Sequence, residues 1–165
     1  MLFRSRAVAE GIGARVARAA VAAEVDGTVW DLDRPLRNDV AFRLITEEDD
    51  EALDVLRHSA AHVLATAVRS LYPEAHIGFG PPIRDGFYYD FDVPTPFTPE
   101  DLARIERKMH EVVASDHRFV REEVDPGAAR ARFKDDPLKL ERLEELGDDE
   151  VISVYTDGPF VDLCR

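Results

Sequence analysis

The chain has 165 residues, 45% of them hydrophobic, and a formal net charge of −13 at pH 7. That apolar content builds a core, which excludes global disorder, and the length allows one domain or one domain plus a small appendage. So acidic a balance excludes a general nucleic-acid binder, whose affinity comes from Lys and Arg neutralising phosphates.

Residues 1–9 lack the apolar stretch of a secretory signal, and no apolar run approaches the ~20 residues of a membrane span. Cys164 is the only cysteine, which excludes an internal disulfide and fits a reducing cytoplasm. Residues 1–46 read as a small unit. Residues 5–20 predict a helix, cut into two short pieces by Gly11 and Gly13. Residues 21–25 and 28–32 flank Asp26-Gly27, a two-residue hairpin signal because both positions tolerate positive φ. Pro35 marks a turn, and residues 40–45 read as a third strand.

Residues 47–71 contain no Gly or Pro, and Thr46-Glu47-Glu48-Asp49 reads as a capping box opening one long helix. Leu53, Leu56, Ala60, Leu64, Ala67 and Leu71 recur close to a 3.6-residue period, which predicts its buried stripe. His58 and His62 lie four apart, so the two imidazoles stack on one face. Ser59, Ala60, Ala61 and Ala65 leave space around them. Tyr72-Pro73 ends the helix.

Gly78 and Gly80 then predict close backbone approach to another element or a ligand. Asp85-Gly86 is a second hairpin signal, and residues 87–92 read as a strand with Phe87, Tyr89 and Phe91 on its apolar face. Thr98 caps a helix with Pro99 in its first turn and Leu102, Ile105, Met109, Val112 and Val113 as its buried stripe. His110 and His117 read as rim residues. Residues 117–124 predict a strand, 126–134 and 137–146 short helices, the second closed by Gly147, and 151–156 with 160–164 a closing hairpin around Asp157-Gly158-Pro159. The fold class expected is α+β, with the long histidine-bearing helix packed on an antiparallel sheet.

His58, His62 and Cys164 are the metal-type or nucleophile-type residues with a pattern. They suit an open metal site with a water in the fourth position, a Cys–His nucleophilic pair, or a purely organic site that positions a water with His, Lys and Cys. Spacing leaves the three open. Lysine occurs only as Lys108, Lys134 and Lys139.

Three stretches together carry a family likeness. They are Arg57-His58-Ser59-Ala60-Ala61-His62, residues 80–90 from Gly80-Pro81-Pro82 to Phe87-Tyr88-Tyr89-Asp90, and Val161-Asp162-Leu163-Cys164-Arg165. In this order and spacing the sequence resembles the N-terminal region of bacterial threonyl-tRNA synthetases. The likeness implies a partial β-grasp (TGS-like) unit over residues 1–46, with Val25-Asp26-Gly27 and Arg34-Pro35-Leu36 part of the match. It implies an editing domain over residues 47–165. Relative to the family pattern the chain reads as shortened at both ends: the opening strand pair and the Gly-Pro-His after Cys-Arg are absent. The aminoacylation core, with its ATP site and catalytic zinc, is absent too.

The activity implied is hydrolysis of serine from mischarged Ser-tRNA(Thr), with the serine-bearing 3′ end of tRNA(Thr) and the rest of the synthetase as partners. Serine and threonine differ by one methyl, which binding converts into only about 1–3 kcal/mol of discrimination. The likeness implies His58, His62, Lys139, Asp162 and Cys164 as catalytic-site residues, with Lys134 a competitor for the lysine. His58 would orient the water together with the lysine; His62 and Cys164 would shape the pocket, and Asp162 would orient the seryl amine or a side chain. Phe87, Tyr88 and Gly80 are expected at the substrate, with Tyr88 or Phe87 stacking on the terminal adenosine. No cofactor is expected for editing, although zinc at His58, His62 and Cys164 stays an alternative. Two other functions compete: an inert module or gene remnant that docks the tRNA acceptor arm, and a metal-dependent hydrolase of the alanyl-editing type. Oligomeric state is not legible.

Overall fold

A computed structural model describes residues 3–146 and 151–164. Within them the chain runs β1 (Phe3–Arg4), α1 (Ser5–Ile12), α2 (Ala14–Ala19), β2 (Ala20–Val25), β3 (Thr28–Trp30), β4 (Pro35–Leu36), β5 (Phe42–Thr46) and α3 (Asp50–Leu71). It continues through β6 (His76–Ile77), β7 (Pro82–Ile83), β8 (Gly86–Phe87), β9 (Phe91–Asp92) and α4 (Pro99–Ala114). The last elements are β10 (Val120–Val124), α5 (Pro126–Arg132), α6 (Pro137–Glu145), β11 (Ile152–Asp157) and β12 (Phe160–Cys164). Helices and antiparallel sheets alternate without a parallel pair among the described residues, so the class is α+β. No helix among them is long and apolar enough to cross a membrane. By contacts the chain divides between His58 and Ser59, inside the continuous helix α3.

In the first unit β2 is the centre strand of an antiparallel sheet ordered β3-β2-β5. The β2–β3 turn is Asp26-Gly27 at φ 49° and 79°, the two positive angles that the residue pair predicts. Gly13, at φ 150°, separates α1 from α2 where the sequence places the break. Pro35 does more than turn the chain, because β4 pairs antiparallel with β1. Ala22, Ile45 and Ala52 form one small core with Val21 and Val55, and Ala9, Ala20 and Leu32 another. Helix α3 starts at Asp50, four residues after Thr46. The box forms only in part: the Asp49 carboxylate accepts from the Thr46 backbone N–H and hydroxyl at 2.7 and 2.8 Å.

In the second unit β10, β11 and β12 form an antiparallel sheet with β11 in the middle. Residues 87–92 do not make one strand. Phe87 closes β8 and Phe91 opens β9, although Asp90 still exchanges two backbone hydrogen bonds with Gly78 and Phe79 at 2.8 Å. The core gathers Ala65, Ala67, Val68, Ala75, Ile77, Ile105 and Phe160, with Tyr89, Phe91 and Phe97 packed against it. A second cluster lies under α5 and α6, around Phe133, Leu143, Val154 and Leu163. Two predicted stripes are only partly buried: Leu53 and Leu56 of α3, and Leu102 and Val113 of α4, are about half exposed or more. On α3 the burying is done by Ala52 in the first unit and by Ala61, His62, Val63, Ala65, Thr66, Ala67 and Val68 in the second. Small side chains let neighbouring backbone approach closely, and period alone does not register that. The end of α6 at Gly147 falls outside the described residues.

Candidate functional site

Asp162 is the hub. Strand alternation puts Phe160, Asp162 and Cys164 on one face of β12, and all three are buried. A carboxylate 1% exposed needs compensation, and three groups supply it. Lys139 Nζ donates to Oδ1 at 2.5 Å, the Tyr89 hydroxyl donates to Oδ2 at 2.5 Å, and His62 Nδ1 lies 2.8 Å from the same oxygen. Burial pushes the Asp162 carboxyl up, but the His62 hydrogen bond and the Lys139 charge outweigh it and hold the group at about 2. Asp162 is therefore ionised at neutral pH.

Lys139 sits in the first turn of α6, whose cap is the Asp136 carboxylate accepting from the Lys139 backbone N–H. The side chain turns inward and is 1% exposed, whereas Lys134 is exposed. Its three ammonium protons are accounted for by Asp162, the Gly78 carbonyl at 2.7 Å and the Tyr89 oxygen at 3.4 Å. The ammonium also lies 4.8 Å from the Phe79 ring centroid, a favourable contact for a desolvated cation. These three acceptors fix the Lys139 side chain against Asp162.

Tyr89 is the member that sequence reasoning missed. The alternation over residues 87–92 assigns its ring to the apolar face, and the ring does pack there, stacked on Phe91 with centroids 5.2 Å apart. A buried tyrosine hydroxyl must find a partner, and that rule was the available signal. Burial, then the charge on Asp162, raise the Tyr89 pKa well above the ordinary phenol range, so it stays a donor. Gly78 and Gly80 make the approach possible. A Cβ on Gly80 would fall 2.2 Å from the Tyr89 ring, and one on Gly78 would fall 2.8 Å from the Asp90 carbonyl. The close approach at both glycines is thus to the chain itself. Tyr88 is 47% exposed and Phe87 partly buried.

His62 is 7% exposed and stacks on Tyr155 at 5.7 Å between centroids, with Phe119 tilted against it at 6.1 Å. With an ionised carboxylate on Nδ1, the neutral ring carries its proton there and presents Nε2 as the basic nitrogen. One helical turn earlier stands His58. Potential ligand atoms of His58, His62 and Cys164 all lie within 4.8 Å of one another. Cys164 is 7% exposed and pairs in register with Ser153, whose hydroxyl donates to the Cys164 carbonyl at 2.8 Å. This His2Cys set suits an open zinc site, although bonds of about 2.0–2.3 Å would draw the ligands to roughly 3.5 Å apart. The Asp162–His62 bond behind it is the arrangement that orients a metal-bound imidazole. His110 and His117 are exposed, as expected of rim residues.

A cleft of about 630 Å³ opens elsewhere in the second unit, lined by Thr66, Arg69, Lys108, His117 and Phe160 and touching Lys139. None of His58, His62 and Cys164 lines it. The chemistry, not this cleft, marks the candidate site.

Proteins similar to this chain include aminoacyl-tRNA synthetases, which are enzymes. More particularly, they are threonine--tRNA ligases. That of Citrifermentans bemidjiense is 48% identical over 160 residues, covering 96% of this chain and 25% of the relative. That of Gluconobacter oxydans is 47% identical over 160 residues, with the same two shares, and that of Symbiobacterium thermophilum is 44% identical over 162 residues, covering 97% and 25%. The chain is thus homologous to threonine--tRNA ligases and spans about a quarter of their length. No family model matches it.

Proposed function

We propose that this chain carries the hydrolytic editing site of a threonine--tRNA ligase and removes serine from Ser-tRNA(Thr). In this reading residues 1–46 are a TGS-like unit, residues 47–165 are the editing domain, and the protein works in the cytoplasm. The observation that carries it is the buried Lys139–Asp162–His62 network standing behind the His58, His62 and Cys164 group, in a homologue of threonine--tRNA ligases.

The geometry suggests a division of labour. Lys139 and Tyr89 saturate Asp162 and keep it ionised; Asp162 fixes the tautomer and tilt of His62. With its proton on Nδ1, His62 offers Nε2 to accept a proton or a hydrogen bond from a water attacking the seryl ester. His58 orients that water from the turn above, and Cys164 forms a wall. A wall set close to the serine β-carbon excludes the extra methyl of threonine by contact, which supplies selectivity that attraction to one methyl cannot. Tyr88, more exposed than Phe87, is the better platform for the terminal adenine, and Gly80 supports the neighbouring backbone.

Deacylation of Ser-tRNA(Thr) by the chain and by its His58→Ala and Lys139→Ala variants tests the reading. Release of serine by the parent and its loss in both folded variants is expected; parent-level hydrolysis in both variants ends the proposal. The His2Cys set supports one rival, a metal-dependent hydrolase of the alanyl-editing type. In that case the three residues hold zinc, which lowers the pKa of a bound water. Bound zinc, chelator sensitivity and a preference for Ser-tRNA(Ala) would select it. Retained tRNA binding without any hydrolysis would select the inert docking module.

A further inference from the structure

A second buried carboxylate on the same hairpin has no part in the scheme above. Asp157, the last residue of β11, is 4% exposed. Thr66, one helical turn beyond His62, is 5% exposed, and its Oγ1 stands 3.0 Å from Asp157 Oδ2 and 2.9 Å from the His62 carbonyl. The single hydroxyl proton is shared between those two acceptors. The His117 ring also faces Asp157, with Nδ1 3.8 Å from Oδ1. A Cβ on Gly158 would fall 2.4 Å from that nitrogen, so the turn makes room for the imidazole.

We propose that Thr66 and Asp157 are positioning residues for the reaction: together they form a clamp that sets the depth and rotation of the His62 turn. The inference rests on the editing reading. Two acids five residues apart on one hairpin, Asp157 and Asp162, engage two side chains four residues apart on one helix, Thr66 and His62. Core packing through Ala65, Ala67 and Val68 holds the helix as a body, and the two polar attachments add a fixed rotation and depth at the turn that carries His62. The His62 carbonyl, which accepts from Thr66, belongs to the same residue whose ring Asp162 holds. Loss of the clamp therefore lets the imidazole swing, and displacements of this kind cost rate without costing substrate binding.

The test uses the full chain with Thr66→Val, which removes the hydroxyl at nearly constant volume, Thr66→Ser, which restores it, and Asp157→Asn. Expected for Thr66→Val is a fall in kcat on Ser-tRNA(Thr) of roughly tenfold with KM changed by less than about twofold, and recovery in Thr66→Ser. Asp157→Asn keeps an acceptor for the hydroxyl and is expected to fall between the two. Independently of activity, solvent exchange of the His62 ring proton, followed by NMR, is expected to quicken in Thr66→Val and not in Thr66→Ser. Should the parent release no serine, the editing reading fails, and the ring-proton exchange alone then decides the clamp. Folded Thr66→Val protein with parent-level ring-proton exchange overturns the clamp in either case; so does parent-level kcat where the parent is active.

Discussion

A carboxylate with 1% exposure survives here because three donor groups converge on it, two of them on one oxygen. The consequence at residue scale is a lopsided response to mutation. Lys139→Met removes one donor but leaves the Asp162 charge buried, and such losses cost about 3–5 kcal/mol; urea denaturation will show the shift. The same residue gives an acid limb to stability. The Asp162 carboxyl sits at about 2 in the folded chain, below its ordinary value, so its contribution is present above pH ~4. That contribution, on the order of 2 kcal/mol, disappears as pH falls from ~4 towards ~2. Asp101, held at about 2 by the Tyr72 hydroxyl and the Thr98 cap, titrates over the same range. Urea midpoints measured at pH 6 and pH 3 should therefore differ clearly, with the lower value at pH 3.

Between single residues and the domain stand the elements that carry them. Helix α3 presents His58, His62 and Thr66 from successive turns. Helix α6 delivers Lys139 because Asp136 and Pro137 start it at the right place. Residues 78–90 deliver Tyr89, and their glycines are what let two backbones pass so closely. Gly80→Ala tests that dependence. The added methyl meets the Tyr89 ring and the Tyr88 carbonyl, at 2.2 and 2.5 Å in the undisturbed geometry, so the tyrosine must move off Asp162. Overpacking of this sort costs about 1–3 kcal/mol. A lowered urea midpoint together with slower serine release is expected, whereas unchanged values for both would show that Tyr89 tolerates the shift.

Taken as a whole, the chain shows where local rules suffice. Asp26-Gly27, Gly13 and Thr98-Pro99 act through backbone angles and caps that a few adjacent residues determine, and each lies where the sequence places it. The four-residue spacing of His58 and His62 is likewise a local fact. What escaped depends on distant partners. Nothing near Lys139 says that it is buried, because its acceptors lie 23 and 61 residues away in sequence. Tyr89 looked like one more core aromatic for the same reason. The exposed Leu53, Leu56, Leu102 and Val113 show the converse error, in which a helical period is present and no neighbour covers it.

Cys164 also gives the molecule a built-in reporter. It is the only thiol in the sequence and is packed under the edge of the sheet, with 7% of its surface accessible. An alkylating reagent must wait for that edge to open, so its uptake is a clock for local fluctuations. No engineered label is needed to read it, and any compound lodging beside the two imidazoles would slow the clock.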